Sequence, residues 1–321
     1  MSEVATTDVP ILLLAFNRPK LLYQLIESLR ETRPSIVRVS VDGPRPGNQT
    51  DAQNVAECVA LIKTIDWTDN VDSLIQPVNV GLERCVPSAV SWVLTEFDRI
   101  IVLEDDTRST TAFVNWATSA LEKFESDERV MHISGYNVVP SEHLDCPDSL
   151  ARLSRLPESF AWATWRRAWN LYDANLEVSR SEISSILRTL HLNTLERARW
   201  RLNFALARRH LISSWAYRWI FSIWRNDGFC LNPNLNFVSY HGHDSGTHTR
   251  RTARWKEQPV RSFQPENLQN LTDVQFDKQA ETFTQVSVFN CTRTSFLTAP
   301  LELSLLYLLK FFASLKYRNK K

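Results

Sequence analysis

Glycine is scarce, with seven residues in 321, and the chain contains neither the phosphate-loop pattern nor the dinucleotide glycine fingerprint. The backbone nests that hold phosphate in P-loop and NAD-binding sites are therefore missing, and any phosphate must be bound through side chains or a metal. Five cysteines, Cys58, Cys85, Cys146, Cys230 and Cys291, are scattered and odd in number. Without the paired spacing of a zinc site they predict reduced, mostly buried thiols in a cytoplasmic protein. The first eight residues are polar and carry no basic leader, so cytosolic synthesis and residence are expected. Residues 301–315 are almost wholly apolar, interrupted by Glu302 and Lys310, yet fall short of the roughly 20 needed to span a bilayer. Followed by Lys316, Arg318, Lys320 and Lys321, they read either as an amphipathic helix lying on an anionic membrane surface or as a terminal helix packed on the domain.

Charge is unevenly spread. The net value is +1, but residues 1–150 carry −11 and residues 151–321 carry +12. A basic second half suits an anionic acceptor or a phospholipid surface, and equally suits docking against the acidic first half. Nucleic acid is not an expected partner, because no recognition motif is present and the arginines alternate with core-type residues.

Apolar runs over 9–16, 36–41 and 99–103 predict buried strands, with a further strand over 71–76. Helical periodicity over 19–30, 51–65 and 86–96 fills the gaps between them. Strand and helix alternate with short loops, which specifies an α/β fold with a mostly parallel sheet flanked by helices. A further helix is expected over 111–124 and a strand over 130–134. A second helical, arginine-rich stretch is expected over 181–210. Between 162 and 224 seven tryptophans crowd together: Trp162, Trp165, Trp169, Trp200, Trp215, Trp219 and Trp224. Most are expected in the core, with about two serving as platforms for a sugar or base.

The fourth strand ends in Glu104-Asp105-Asp106. Three adjacent carboxylates beside a buried strand repel one another and lose hydration, which destabilises the fold unless a cation neutralises them. In open α/β sheets ligands sit beyond the carboxyl ends of the strands. A hard divalent ion, Mg²⁺ or Mn²⁺, carrying a diphosphate fits such oxygen ligands. Asp106 or Thr107 as the cap of the next helix is the other reading.

In this order the motifs are Ala15-Phe16-Asn17-Arg18-Pro19, Val41-Asp42-Gly43, Asn79-Val80-Gly81-Leu82-Glu83-Arg84 and Glu104-Asp105-Asp106. Then follow Ser134-Gly135-Tyr136-Asn137, Ala161-Trp162-Ala163-Thr164-Trp165, Ser214-Trp215 and Gly246-Thr247-His248. The set resembles nucleotide-sugar glycosyltransferases of the GT-A fold. The likeness is to the inverting N-acetylglucosaminyltransferase I type and to bacterial glycosyltransferase family 2-like proteins. The resemblance implies a metal-dependent enzyme that moves a hexose or N-acetylhexosamine from a nucleoside diphosphate sugar donor, most simply a UDP-sugar, to a glycan or lipid-linked acceptor in surface polysaccharide assembly. It implies that Arg18 and Asp42 contact the base and ribose, with Asp42 accepting a uracil N3 hydrogen. Arg84 would lie by the nucleotide or its phosphates. Glu104 and Asp105 would orient ribose and sugar hydroxyls, and Asp106 would hold the metal, with His248 as a further metal or phosphate contact.

One departure matters. Relatives place an aspartate just after the tryptophan matched by Trp215, to take the acceptor proton, and this chain has Ala216, Tyr217 and Arg218. Asp244 is the expected substitute for that base, with Asp227 the other acid in reach. A nucleotidyltransferase, or a sugar- or nucleotide-binding protein without activity, are the competing readings. The expected division is a donor-binding half over 1–140, an acceptor-binding half over 141–250, an extended segment over 251–300 and the apolar and basic helix over 301–321.

Overall fold

The computed structural model describes residues 7–242, 259–262, 274–294 and 297. Alternation within its strands sets the layers. In β1 (Ile11–Ala15) Ile11 and Leu13 face one core, while Leu12 and Leu14 face another, as the period of two requires. The strand is buried along its whole length, so both faces must be covered. From it the chain runs through α1 (Pro19–Leu29), β2 (Val37–Val41), α2 (Gln49–Leu61), β3 (Val71–Ile75), α3 (Leu82–Glu96) and β4 (Arg99–Glu104). Helices α1 and α2 close one face, and α3 crosses to the other.

The rest of the chain extends the same sheet. It comprises β5 (Thr107–Arg108), α4 (Thr111–Lys123), β6 (Val130–Ser134), β7 (Ala151–Ser154), β8 (Ala161–Trp165) and α5 (Arg166–Trp169). Then come α6 (Arg180–Thr189), α7 (Thr194–Arg208), α8 (Ala216–Arg225), β9 (Phe229–Pro233), β10 (Ser239–Tyr240) and α9 (Lys278–Ser287). The eight-stranded order is β3-β2-β1-β4-β8-β6-β9-β7. Only β8 and β7 run against the other six. This is the α/β class with a mostly parallel, helix-flanked sheet that the sequence predicts.

Four details differ from the sequence reading. Helix α3 starts a turn early, at Leu82, because Gly81 adopts φ 79° as its cap, a conformation that favours glycine. The helical stretch 181–210 is two helices. His191, at φ 53°, and the Asn193–Glu196 capping box divide it, since the box satisfies the first amides of a new helix. Thr110, not Asp106 or Thr107, caps α4 by accepting from the Phe113 amide. All seven tryptophans between 162 and 224 are buried; Trp162 stacks on Trp215 at 5.0 Å and on His132 at 5.3 Å. Six of them cement α5, α7 and α8 to the sheet, Trp165 packs on the other face and donates to the Leu121 carbonyl of α4, and none is an open platform. Four cysteines are buried and Cys146 is exposed, all as free thiols. Among the described residues no helix is long and apolar enough to cross a membrane.

The opposed charges of the two halves meet in part across shared contacts, Arg166 with Asp98 at 3.1 Å and Arg218 with Glu83 at 2.5 Å.

Candidate active site

The chain reverses its direction of travel across the sheet between β1 and β4, and a cleft of about 440 Å³ opens there. This is the switch point at which α/β folds bind ligands. Its walls come from the ends of β1, β2 and β4, from the start of α3, and from Ser213 in the loop before α8.

Pro19 supplies the preset φ of the first helical position of α1, and Arg18 precedes it as the cap residue. From there the Arg18 guanidinium turns back across the cleft floor to the end of β4. Two of its nitrogens hold the two oxygens of Asp105, and a third donates to Asp106 Oδ2 at 3.0 Å. The cation demanded by the acidic triplet is thus partly supplied by the chain itself. Burial works against the charge of Arg18, yet Asp105 and Asp106 hold it firmly ionised. Burial raises Asp105 to about 6, with the Arg18 charge pulling it down and Asp106 pushing it up.

Glu104 is different. It lines the cleft, and its carboxyl has no hydrogen bond or ion pair among the described residues. Walled by protein elsewhere, and repelled by Asp106 and then Asp105, its carboxyl is lifted to about 8. Near neutrality it holds a proton until a hydroxyl or a cation meets it.

Asp42, at the end of β2, is fully engaged. Oδ1 accepts from the Gly43 and Val80 amides, and Oδ2 accepts from the Gly81 amide and the Asn79 side chain, all at 2.9 Å. A carboxylate offers about four lone-pair positions, and the chain's own donors meet them all. Asp42 borders the cleft as the staple of the 79–81 turn, which leaves no open position for a base. Arg84 lies on the first turn of α3, exposed, and is not part of the cleft wall.

Residues 107–108 form a two-residue strand against 239–240, which brings the chain back to the triplet. The His241 amide donates to the Asp106 carbonyl at 2.7 Å. A side chain on Gly242 would collide with Tyr240 and lie 2.7 Å from Asp106 Oδ2, so a larger residue there would have to displace both side chains. Asp244 and His248 lie outside the described residues. Asp227 precedes β9 at the amino-terminal edge of the sheet, where it pairs with Arg155 at 2.7 Å. That is the end opposite the cleft, which removes it as a base.

Two groups escape sequence reasoning. Arg45 lines the cleft over the Phe16 ring, 5.6 Å from its centroid, and is paired with Asp51; a lone arginine between two prolines is the only signal. Where the expected base is missing, buried Arg218 donates to the Ala174, Ser214 and Ala207 carbonyls and to Glu83, which also contacts His210. Nothing in the pattern links residues 83, 210 and 218.

The donor chemistry at the triplet fits a hard cation that brings its own phosphate ligands. Among the described residues the Glu104 carboxyl and one oxygen of Asp106 accept no hydrogen bond, whereas both oxygens of Asp105 are engaged. It does not fit an all-protein cage, because no group of three acids, histidines or cysteines assembles among the described residues.

No protein-family profile matches the chain, and no curated protein matches it. Among solved structures it is similar to the mannosyltransferase PcManGT from Pyrobaculum calidifontis in complex with GDP-Man and Mn²⁺, at 10% identity and a TM-score of 0.36, covering 68% of this chain and 74% of that one. It is also similar to a protein assigned as a glucose-1-phosphate thymidylyltransferase from Bacillus anthracis, in complex with a sucrose, at 10% identity and a TM-score of 0.33, covering 61% and 83%. Likeness this distant assigns no activity and no residue role.

Proposed function

We propose that the chain is a glycosyltransferase, inverting in mechanism, which moves a sugar from a nucleoside diphosphate to a hydroxyl of a glycan or lipid-linked acceptor. One observation carries the reading: the Glu104 carboxyl, without a partner among the described residues, lies beside the Arg18–Asp105 pair in a cleft at the switch point, with Asp106 bonded to the same guanidinium. In this reading the nucleotide enters between the 79–82 turn and the Phe16–Arg18 turn. Arg18 and Asp105 form a fixed polar floor, Asp42 holds the turn in place, and Glu104 exchanges hydrogen bonds with a ribose or sugar hydroxyl. Arg45 is the basic group on the cleft wall beside the phosphates, and Arg84, exposed on the first turn of α3, would meet them from outside that wall.

A Mg²⁺ or Mn²⁺ ion on Asp106, with His248 as a further contact, would neutralise the charge developing on the diphosphate as it leaves, worth several kcal/mol in such reactions. Asp244 is the proposed base for the acceptor hydroxyl.

The test is binding followed by turnover. Full-length protein mixed with Mn²⁺ and each of a series of nucleoside diphosphate sugars should show a raised melting temperature with at least one donor, and slow hydrolysis of that donor. Asp106→Ala should abolish both, and Asp244→Asn should abolish transfer while keeping binding. If no sugar nucleotide binds with Mn²⁺ or Mg²⁺, or if Asp106→Ala retains full metal-dependent binding, the reading is wrong.

A further inference from the structure

Between the start of α6 and the end of α7 lies a hollow of about 260 Å³, lined by Arg180, Arg201, Arg208 and Arg209 and by no acidic side chain among the described residues. Nothing in the proposed reaction uses it.

Helical spacing explains how it forms. Arg201, Ala205, Arg208 and the cap residue Arg209 stand at i, i+4, i+7 and i+8 along α7 and share one face, as Arg180 and Ser184 do at i and i+4 of α6. Ala205 ends at its Cβ, so the longer side chains around it leave a space. Buried Ile183 supplies the apolar part of the wall.

Two contacts hold guanidiniums along this groove. Arg201 Nε donates to Ser184 Oγ at 3.3 Å, and a terminal nitrogen of Arg208 donates to the Val178 carbonyl, just before α6, at 3.2 Å. Arg209 donates to the Ala205 carbonyl at 3.4 Å, an ordinary use of a cation at the carboxyl end of a helix. Each contact occupies one of five donors. Among the described residues Arg180 makes no side-chain hydrogen bond, and none of the four has an ion pair. Arg180, Arg201 and Arg209 are exposed and Arg208 is half-buried, so a solute can reach them.

The nearby acids are engaged elsewhere: Glu182 with Arg225 at 3.0 Å, Glu196 in the capping box of α7, and Glu177 with the Asn175 amide at 3.1 Å. Four like charges around one hollow repel each other unless an anion shares them. A carboxylate offers two oxygens on one side, whereas a phosphate offers oxygens on every side and pairs with guanidiniums in bidentate fashion. The volume falls just below the roughly 300 Å³ at which sites for drug-sized ligands begin, which suits a single group. No aromatic ring lines the hollow, so a nucleic-acid strand would find no stacking platform.

We propose that this hollow binds a phosphate group, apart from the cleft and whether or not the cleft takes a sugar nucleotide. Arg209 is four residues from Ser213 on the cleft wall, a span of at most about 14 Å. A phosphate ester or a lipid headgroup held there would be anchored beside the cleft.

The test uses the full-length protein in EDTA, with phenylglyoxal labelling of arginines read residue by residue in a mass spectrometer. Inorganic phosphate should protect Arg180, Arg201 and Arg209 together and saturably, while exposed Arg33 is labelled as before. Acetate at matched ionic strength should protect none of them. Arg180→Glu combined with Arg201→Glu should weaken the protection of Arg209 by about tenfold or more, as loss of charge-assisted contacts requires. Arg180→Gln alone should give a smaller loss in the same direction, which keeps the test open if the double change disturbs the helices. Phosphatidylglycerol vesicles that protect at a lower phosphate concentration than the free ion assign the source as a lipid headgroup, and the reverse order assigns a soluble phosphate. The proposal fails if neither phosphate nor vesicles protect the three arginines, if acetate protects them equally, if Arg33 is protected with them, or if protection of Arg209 is unchanged in both variants.

Discussion

Arg18 grips both carboxylate oxygens of Asp105 across 87 residues of sequence. Asp105 is 1% exposed, so its charge depends on that contact for compensation. Arg18→Met should destabilise the protein by about 3 kcal/mol, toward the low end for a broken buried pair because Arg18 keeps 23% of its side-chain exposure. Asp105→Asn added to it should recover much of the loss. Chemical denaturation of the two variants measures both, and equal stability for Arg18→Met and wild type would show that the pair does not hold the β1 and β4 ends together.

Asp42 should behave as a structural residue. Asp42→Ala strands three backbone amides and the Asn79 side chain around the 79–81 turn, at a cost of about 3 kcal/mol or more, since each is a charge-assisted bond. Urea unfolding without ligand is the measurement. A variant as stable as wild type, but unable to bind a nucleotide, would restore the base-binding role implied by the resemblance.

Arg218 and Glu83 should show strong coupling. Arg218→Met removes the centre of a buried network and should cost about 3–5 kcal/mol. Glu83→Gln should be milder, and the double variant should be more stable than the sum of the two losses requires, by about 1 kcal/mol or more. Additive effects in the cycle would show that the contact at 2.5 Å carries no energy of its own.

His132 makes acid stability asymmetric. Its Nδ1 accepts from the Trp219 indole at 3.2 Å, so its Nε2 hydrogen points to the Glu158 carbonyl. Burial lowers its pKa from 6.5 to about 3. Below 6.5 the unfolded chain binds a proton that the folded chain refuses. Stability is therefore intact above 6.5 and falls as pH drops toward 3, by up to about 1.4 kcal/mol per pH unit from this group. His132→Gln should remove that share of the slope. Nitrogen-15 spectra should show a neutral, Nε2-protonated ring at pH about 5; a ring titrating near its ordinary value would refute the assignment.

The strands that build the cleft are readable in sequence because apolar residues run along β1 and the middle of β4 and alternate along β2, where buried Arg38 and Ser40 take the other positions. The acidic triplet is readable for the same reason, since three charges after such a run violate the pattern. What answers those charges is not readable. Local patterning reports periodicity, and Arg18 meets Asp105 only because β1 and β4 pair in a particular register. The pairing of 107–108 with 239–240 is two residues long, below any periodic signal. The tryptophans mislead for the opposite reason: aromatic density marks a core as readily as a platform, and only burial separates the two.

Strand β8 joins the two parts of the sheet, lying antiparallel between β4 and β6. On the ribosome, the first four strands can assemble well before residues 161–165 leave the exit tunnel. During that interval the edge of β4, with Ile100 through Leu103, stands open to any passing strand. Nascent chains halted between the end of β4 and Trp165 are therefore expected to demand chaperone cover and to clump without it, whereas chains that have released β8 should not. The step most exposed to failure in the life of this protein is set by how late its central wedge is made.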